Sequence, residues 1–218
     1  MKAHQQIFPS IYSANHGCLI SECQKIENLG FQTLHVDIQD GICSSEISFG
    51  IKLVKVLREN SKMVFDIHLM LYNLEQYLPK LAGLEKVRSV TFHPRDTRFP
   101  ARIVTIIKNM GYKVGLALSL GEPIEEYRSL SGQISSILVC TALVDGEGNR
   151  YRVESEDYIR QIKKVFSTQD IVVDGDINST NLAKVMSAGA NHFVIGREIF
   201  HSDDLLAKIN ELEKIMDV

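Results

Sequence analysis

The stretch that decides the fold is "RSVTFHPRDTRFPARIVTIIKNMGYKVGLAL", residues 88–118. It opens with RSVTF at 88–92, a short apolar run typical of a buried strand. The pattern ARIVTIIKNM at 101–110 predicts a helix, and Gly111 stands where that helix should end. A second apolar strand, KVGLAL at 113–118, follows almost at once. Two strands joined through a helix predict a unit in which the strands run parallel.

This strand–helix–strand unit repeats along the whole chain. Helical patterns separate further predicted strands near 6–11, 33–38, 63–67, 135–139, 171–174 and 191–195. Eight strands alternating with helices favour a closed (β/α)8 TIM barrel, an α/β fold. An open doubly wound sheet is the alternative, since the strand number is uncertain by one or two. Because no linker rich in Pro or Ser interrupts the series, we expect a single domain over residues 1–218.

Composition excludes several classes of protein. Of 218 residues, 44% are hydrophobic and 23% are charged, which is an ordinary globular balance. The formal net charge of -3 gives no reason to expect binding to nucleic acid or to an anionic membrane surface. The first ten residues lack the apolar stretch of a signal peptide, and no run approaches the ~18 apolar residues of a membrane span. We therefore expect a soluble, cytoplasmic protein.

Polar residues stand at the ends of five predicted strands, where a barrel of this kind builds its site. A single histidine at such a position is more often a packing residue than a ligand. Two histidines and two carboxylates on one rim instead indicate a mixed nitrogen and oxygen site for one divalent transition metal, Zn, Mn, Fe or Co. A metal would also neutralise carboxylates that a buried strand could not otherwise keep ionised. The residues concerned are Ser10, His35, Asp37, His68, His93 and Asp174.

Six short motifs carry a resemblance to a known family. "PSIYSAN", "LHVDIQDG", "FDIHLM", "FHP", "VVDGD" and "AGANHFVIGREIF" resemble, in order and spacing, the motifs of the ribulose-phosphate 3-epimerase family. The similarity extends from about Ile7 to Phe200. It implies a (β/α)8 barrel, substrate contact by Ser10, and proton transfer by Asp37 and Asp174. It also implies that one metal is held by His35, Asp37, His68 and Asp174.

The implied reaction explains why these residue types are needed. Inverting C3 of a 2-ketose phosphate removes a proton beside a ketone and returns one to the opposite face. Two proton-transfer groups on opposite sides are therefore required, and Asp37 and Asp174 belong to strands across the predicted barrel. The metal would stabilise the enediolate where negative charge develops. The resemblance implies D-ribulose 5-phosphate and D-xylulose 5-phosphate as the default substrate and product.

The loops that would bind phosphate depart from the family pattern. After strand 6, the family's NPGFGGQ is replaced by "LVDGEGN" at 143–149, which keeps one glycine in register, Gly148. After strand 7, the family's DGG becomes Asp174-Gly175-Asp176, and after strand 8 the usual Gly-Ser becomes Gly196-Arg197. Arg197 has three open roles: pairing with Asp176, binding phosphate itself, or pointing into solvent. The expected substrate-binding residues are Ser10, His68, Met70, Gly148, Gly175, Asp176, Gly196 and Arg197.

The wall around the reacting carbons also differs from the family. Methionines line it after strands 2, 3 and 6 in the family, and only Met70 remains here. Gln39 and Cys140 stand at the other two positions, and Gln39 adds a donor and an acceptor that a thioether lacks. Substrate preference could therefore differ from ribulose 5-phosphate.

Three alternatives to a ribulose-phosphate epimerase remain open on the sequence. The first is a 3-epimerase of a ketohexose phosphate, of the allulose 6-phosphate type. The second is a sugar-phosphate decarboxylase, although the Asp-x-Lys-x-x-Asp signature of such enzymes has no lysine in "HVDIQD". The third is a non-catalytic barrel that binds a sugar phosphate. In each case the expected partner is a small sugar phosphate, and we expect a homo-oligomer.

Overall fold

Eight parallel strands form the centre of the molecule, in a computed structural model that describes residues 6–142 and 150–217. They are β1 (Ile7–Pro9), β2 (Thr33–Gln39), β3 (Val64–Met70), β4 (Val87–Phe92), β5 (Lys113–Ser119), β6 (Ser136–Cys140), β7 (Asp170–Asp174) and β8 (His192–Ile195). Neighbouring strands pair in the order β1-β8-β7-β6-β5-β4-β3-β2. A parallel bridge between Ser10 and His35 joins the ends of β1 and β2, the first and last strands of this order. The sheet is therefore a nearly closed barrel, and the open-sheet alternative is wrong.

Helical segments connect successive strands on the outside of the barrel. The α-helices are α1 (Leu19–Asn28), α2 (Ile51–Glu59), α3 (Leu74–Tyr77), α4 (Pro100–Asn109), α5 (Ser155–Val165), α6 (Leu182–Ala188), α7 (Arg197–Phe200) and α8 (Leu205–Met216). Between β5 and β6 the connection is a 3₁₀ segment, Ile124–Gln133. Gly189 ends α6 with a left-handed φ of 115°, a conformation that glycine adopts without steric cost. Among the described helices, none is both long and apolar enough to cross a bilayer.

Apolar side chains fill two separate layers. The larger layer lies between the barrel and its helices and includes Leu34, Val54 and Ile107, none of which is exposed. A smaller cluster that includes Phe8, Leu138 and Val172 forms a second core. Successive side chains of a strand point to opposite faces of the sheet. The neighbours in sequence of a strand residue in the smaller cluster therefore point to the larger, outer layer. This alternation determines which polar residues face the barrel axis.

Four strands, β2, β3, β5 and β6, extend beyond their predicted ends, and in β3 this changes where one site residue lies. β2 continues to Gln39 and β3 continues to Met70. His68 therefore lies within β3, not after it as predicted. The ladder continues because Asp37 pairs with His68 and Gln39 with Met70 in the parallel register. The hydrophobic pattern of the sequence could not reveal these strand extensions, because polar residues on the inner face of the strands interrupt it. β1, in contrast, stops at Pro9 because a 3₁₀ turn begins at Ile11.

Candidate active site

The four predicted metal ligands lie together at the C-terminal rim of the barrel. Each of His35, Asp37, His68 and Asp174 offers one ligand atom, and these atoms all lie within 4.8 Å of one another. His35, Asp37 and His68 are buried, while the side chain of Asp174 is 23% exposed. One face of the cluster is therefore open to the cavity above the barrel.

The carboxylates of this cluster approach both imidazole rings. Asp37 Oδ1 lies 3.1 Å from His35 Nε2 and 3.2 Å from His68 Nδ1. Asp174 Oδ2 lies 3.7 Å from His35 Nε2 and 3.6 Å from His68 Nδ1. Two nitrogens and two oxygens thus converge from β2, β3 and β7 on one point. This donor set is the mixed type that Zn, Mn, Fe and Co accept.

Asp66 fixes the orientation of His35. The Nδ1 proton of His35 is donated to Asp66 Oδ2 at 2.8 Å, which leaves Nε2 facing Asp37 and Asp174. Asp66 is itself held by a short hydrogen bond from Ser89 Oγ and by Arg88 Nη1 at 3.9 Å. A carboxylate behind a ligating histidine is the usual way in which proteins fix the tautomer and direction of a metal ligand.

His68 has a different partner behind it. Its Nε2 lies 3.0 Å from Nε2 of His93, and the two rings stack with centroids 5.1 Å apart. Burial, then the charges of His68 and Arg95, lower the pKa of His93 well below its usual value. A neutral His93 can accept the Nε2 proton of His68, which leaves Nδ1 of His68 directed at the carboxylates.

The charges of the cluster already favour a cation at its centre. Burial alone would lower the pKa of His35, but the charge of Asp37 and hydrogen bonds with Asp37 and Asp66 raise it well above its usual value. Burial would likewise raise the pKa of Asp37, but the neighbouring imidazoles of His35 and His68 hold it far lower. The carboxylate of Asp37 thus stays ionised and attracts positive charge. A divalent cation satisfies the same attraction, so the residues present fit a metal.

A cavity of about 550 Å³ opens above this cluster. Ser10 lines it and donates from Oγ to Asp37 Oδ2 at 2.8 Å. Gln39, Met70 and Cys140 form part of its wall. Burial, followed by the charge of Asp174, raises the pKa of Cys140 well above its usual value, so this thiol is a small hydrophobic residue and not a reactive one.

The altered loops after β7 and β8 form a further part of the cavity wall. Gly175, Asp176, Gly196 and Arg197 all line the cavity. Gly175 has a φ of +125°, and a Cβ there would lie 2.6 Å from the backbone nitrogen of Ala142, so only glycine fits. A Cβ on Gly196 would lie 2.3 Å from a side-chain oxygen of the β1–α1 loop. Both glycines therefore allow loops to pack closely around the cavity.

The carboxylate of Asp176 pairs with Arg197. Arg197 Nη2 donates to Asp176 Oδ1 at 2.7 Å, and the backbone N–H of Tyr151 donates to Oδ2 at 3.1 Å. Asp176 has a left-handed φ of 57°, and the side chains of Asn178 and Asn181 both donate to its carbonyl, at 2.8 and 2.9 Å. These contacts hold an unfavourable backbone conformation in place. Arg197 therefore pairs with Asp176, which is one of the three roles that the sequence left open. Direct binding of phosphate by Arg197 stays a prediction.

One predicted substrate-binding residue, Gly148, lies outside the described residues, as does the whole altered segment 143–149 that follows strand 6. Other functional positions were missed by the sequence reasoning. Asp66 lies two residues before His68, and this spacing, which puts both side chains on one face of a strand, was the available signal. His93 was noted at a strand end but was given no role. Lys208, which also lines the cavity, gave no signal, because nothing local connects α8 with the barrel rim.

Comparison with known proteins gives a consistent result. The sequence profile of the "Ribulose-phosphate 3 epimerase family" matches residues 6–200. A ribulose-phosphate 3-epimerase from Methanocaldococcus jannaschii is 30% identical, with 96% of this chain and 90% of that protein covered. The cytoplasmic isoform of ribulose-phosphate 3-epimerase from Oryza sativa subsp. japonica is also 30% identical, with 99% and 96% covered.

Solved structures share the fold at low sequence identity. An orotidine 5'-phosphate decarboxylase from Pyrococcus horikoshii superposes with a TM-score of 0.69 at 14% identity, covering 97% of this chain and 99% of that chain. A mutant tryptophan synthase alpha-subunit from Pyrococcus furiosus gives a TM-score of 0.68 at 13% identity, covering 100% and 99%. Similarity at this level supports the TIM barrel and nothing about chemistry.

Proposed function

The chain belongs to the ribulose-phosphate 3-epimerase family, and from this premise we propose that it interconverts D-ribulose 5-phosphate and D-xylulose 5-phosphate. It is an isomerase that acts on a small sugar phosphate. The observation that carries the proposal is the convergence of Asp37 and Asp174 on one point from opposite parts of the barrel. The absence of a lysine from "HVDIQD" argues against the decarboxylase alternative.

Asp37 and Asp174 are the proposed proton-transfer pair. One carboxylate removes the C3 proton from one face of the substrate, and the other carboxylic acid returns a proton to the opposite face. Ser10 donates to Asp37 Oδ2 and keeps this carboxylate in one orientation. Burial of Asp37 excludes water from the group that must exchange its proton with carbon. Both aspartates are also proposed metal ligands, so a change to either one affects binding and chemistry together.

We propose that His35, Asp37, His68 and Asp174 hold one divalent transition metal, Zn, Mn, Fe or Co. When bound, such a metal supplies electrostatic stabilisation for the negative charge that develops on the substrate oxygens. Asp66 and His93 act through the ligands by holding the two imidazoles in the required tautomer and direction. We propose that the substrate phosphate lies at the other end of the cavity, beside Gly175, Gly196 and the Arg197–Asp176 pair.

The place of action and the assembly are also proposals. The rice relative is named as a cytoplasmic isoform, which supports placing the reaction in the cytoplasm. A homo-oligomer is supported by a shallow groove whose lining includes the exposed side chains of Ile42, Tyr72 and Phe99. The same groove carries Arg98 and Glu75, so charges of both signs could pair across a two-fold axis.

The test is exchange of the C3 proton, followed by NMR in deuterated water. The panel contains ribulose 5-phosphate, a ketohexose 6-phosphate of the allulose type, and unphosphorylated ribulose. We expect the fastest exchange and net epimerisation with ribulose 5-phosphate. If the hexose phosphate reacts faster, the proposed substrate is wrong but the proposed 3-epimerase reaction still holds. Absence of exchange from every member, in metal-loaded protein, would leave a non-catalytic sugar-phosphate-binding barrel.

A further inference from the structure

A lysine from the last helix lies at the phosphate end of the active-site cavity. Lys208 belongs to α8, yet it lines the same cavity as Asp174, Gly175 and Arg197. Its side chain is 24% exposed, so it is mostly covered, and it forms part of the cavity wall. Neither the family motifs nor the predicted site residues include this position.

The ammonium group of Lys208 is held in one place by two carboxylates. Nζ donates to Glu198 Oε1 at 3.0 Å and to Glu211 Oε2 at 2.7 Å. Glu198 Oε1 also accepts from Ser179 Oγ at 3.0 Å, in the loop after β7. Helices α7 and α8 and the loop after β7 therefore meet at this nitrogen. An ammonium has three donors, so among the residues that the structure describes one N–H of Lys208 is left for a ligand.

The charge balance at this end of the cavity makes the lysine necessary. Asp176, Glu198 and Glu211 carry three negative charges around the two positive charges of Arg197 and Lys208. Without Lys208, the carboxylate of Glu198, which lines the cavity, would lose its ammonium partner. A phosphate dianion would then be repelled, because like charges at short range disfavour each other where solvent screening is incomplete.

We propose that Lys208 is a second phosphate-binding cation of this enzyme, acting beside Arg197 at the end of the cavity away from Asp37 and Asp174. This rests on the proposed function, because it assumes a phosphorylated substrate. The two cations would bind phosphate through side chains where the loop sequences have become Gly175-Asp176 and Gly196-Arg197. Lys208 contacts only the phosphate, so it acts in binding and takes no part in proton transfer.

The test compares Lys208→Met with Lys214→Met, using the metal-loaded full chain. Lys214 is an exposed residue of the same helix and does not line the cavity, which makes it the matched control. We expect Lys208→Met to raise KM for ribulose 5-phosphate, and the inhibition constant of inorganic phosphate, by about tenfold with little change in kcat. Turnover of unphosphorylated ribulose should be unaffected. The Lys208→Arg variant should keep most of the phosphate binding that Lys208→Met loses.

A second variant separates the lost contact from the exposed carboxylates. In Lys208→Met/Glu198→Gln the local net charge is the same as in the unmodified protein, and the cavity-lining carboxylate that Lys208 contacts is gone. If Lys208 binds phosphate, this double variant keeps a raised KM. Recovery of the normal KM would show that Lys208 only screens Glu198, and this would overturn the proposal. Equal KM values for Lys208→Met and Lys214→Met would also overturn it. Failure of the unmodified protein to act on ribulose 5-phosphate would instead overturn the proposed function.

Discussion

At the scale of single residues, Asp37 has the largest number of roles. Its carboxylate accepts from Ser10 and lies within hydrogen-bonding distance of His35 and His68, while it faces Asp174 across the cluster. Ionised carboxylates are poor bases in water, with a reference pKa of roughly 4. Such a group becomes effective only where the substrate proton is made more acidic and water is excluded, and a buried site beside a metal provides both conditions.

Replacement of either aspartate tests proton transfer. We expect Asp37→Asn and Asp174→Asn each to reduce epimerisation by about 10²- to 10⁴-fold, because an amide cannot take up the proton. Steady-state turnover, with bound metal measured in each variant, checks this. If the Asp174→Asn variant still binds the metal, it should still exchange the C3 proton of one epimer even where net epimerisation is lost. Turnover near that of the unmodified protein in either variant would exclude the mechanism with two aspartates.

Replacement of a ligand and of its supporting residue tests the metal site. We expect about one equivalent of transition metal in the purified protein, and we expect His68→Ala to lose it. Asp66→Asn should keep all four ligands but weaken metal affinity by about 10- to 100-fold, since the amide no longer fixes His35. Elemental analysis and titration with a competing chelator measure both effects. Full metal content and activity in His68→Ala would contradict the ligand assignment.

At the scale of structural elements, the loops after β7 and β8 form the part of the cavity where we propose that the substrate phosphate binds. Their glycines permit close packing, and the Arg197–Asp176 pair joins one loop to the other. A short α7 follows directly, and Glu198 of that helix is tied to α8 through Lys208. The three elements therefore form one connected polar part of the cavity wall.

The role of Arg197 can be measured through the balance of KM and kcat. If Arg197 binds phosphate, Arg197→Ala should raise KM with little loss of kcat, because the contact is equal in ground and transition states. A charge-assisted contact corresponds to about a 10- to 100-fold change, and the 44% exposure of this side chain favours about tenfold. Asp176→Gly relieves the left-handed strain and removes a negative charge, so binding should tighten or stay unchanged. An unchanged KM in Arg197→Ala, with equal reaction of unphosphorylated ribulose, would refute phosphate binding here.

At the scale of the whole molecule, a groove on the C-terminal side of the barrel combines exposed apolar side chains with charged ones. Tyr72 is 69% exposed and Phe99 is 57% exposed, and both line the groove. Exposed apolar surface of this kind commonly marks a protein contact. Because the groove also carries charges of both signs, a second copy of the chain is the partner that we propose.

A charge placed in the groove tests the assembly. We expect Tyr72→Glu and Phe99→Glu to shift the protein toward a monomer in sedimentation equilibrium, because each buries a carboxylate without a partner. Leu206→Glu is the matched control, since Leu206 is also 57% exposed but lies on α8, outside the groove. An unmodified protein that is monomeric at micromolar concentration would exclude this assembly, and so would equal behaviour of all three variants.

The sequence by itself determined the architecture and the two proposed ligands of β2. Strands alternating with helices predicted the barrel, and a side-chain period of two put His35 and Asp37 on the same face. The barrel rule also placed the ends of distant strands at one rim, so His68 and Asp174 were expected nearby. Such inferences succeed because they depend only on local periodicity and on the geometry that closure imposes.

Only the tertiary structure decided which of these groups touch. The register between β2 and β3 puts His68 beside Asp37, and the same pairing of strands brings Asp66 to His35. Packing of α8 against α7 brings Lys208 into the cavity. Local patterns contain no information about register or about the direction of long polar side chains. Both are fixed by the sum of many contacts between distant parts of the chain, and they exist only when the barrel has closed.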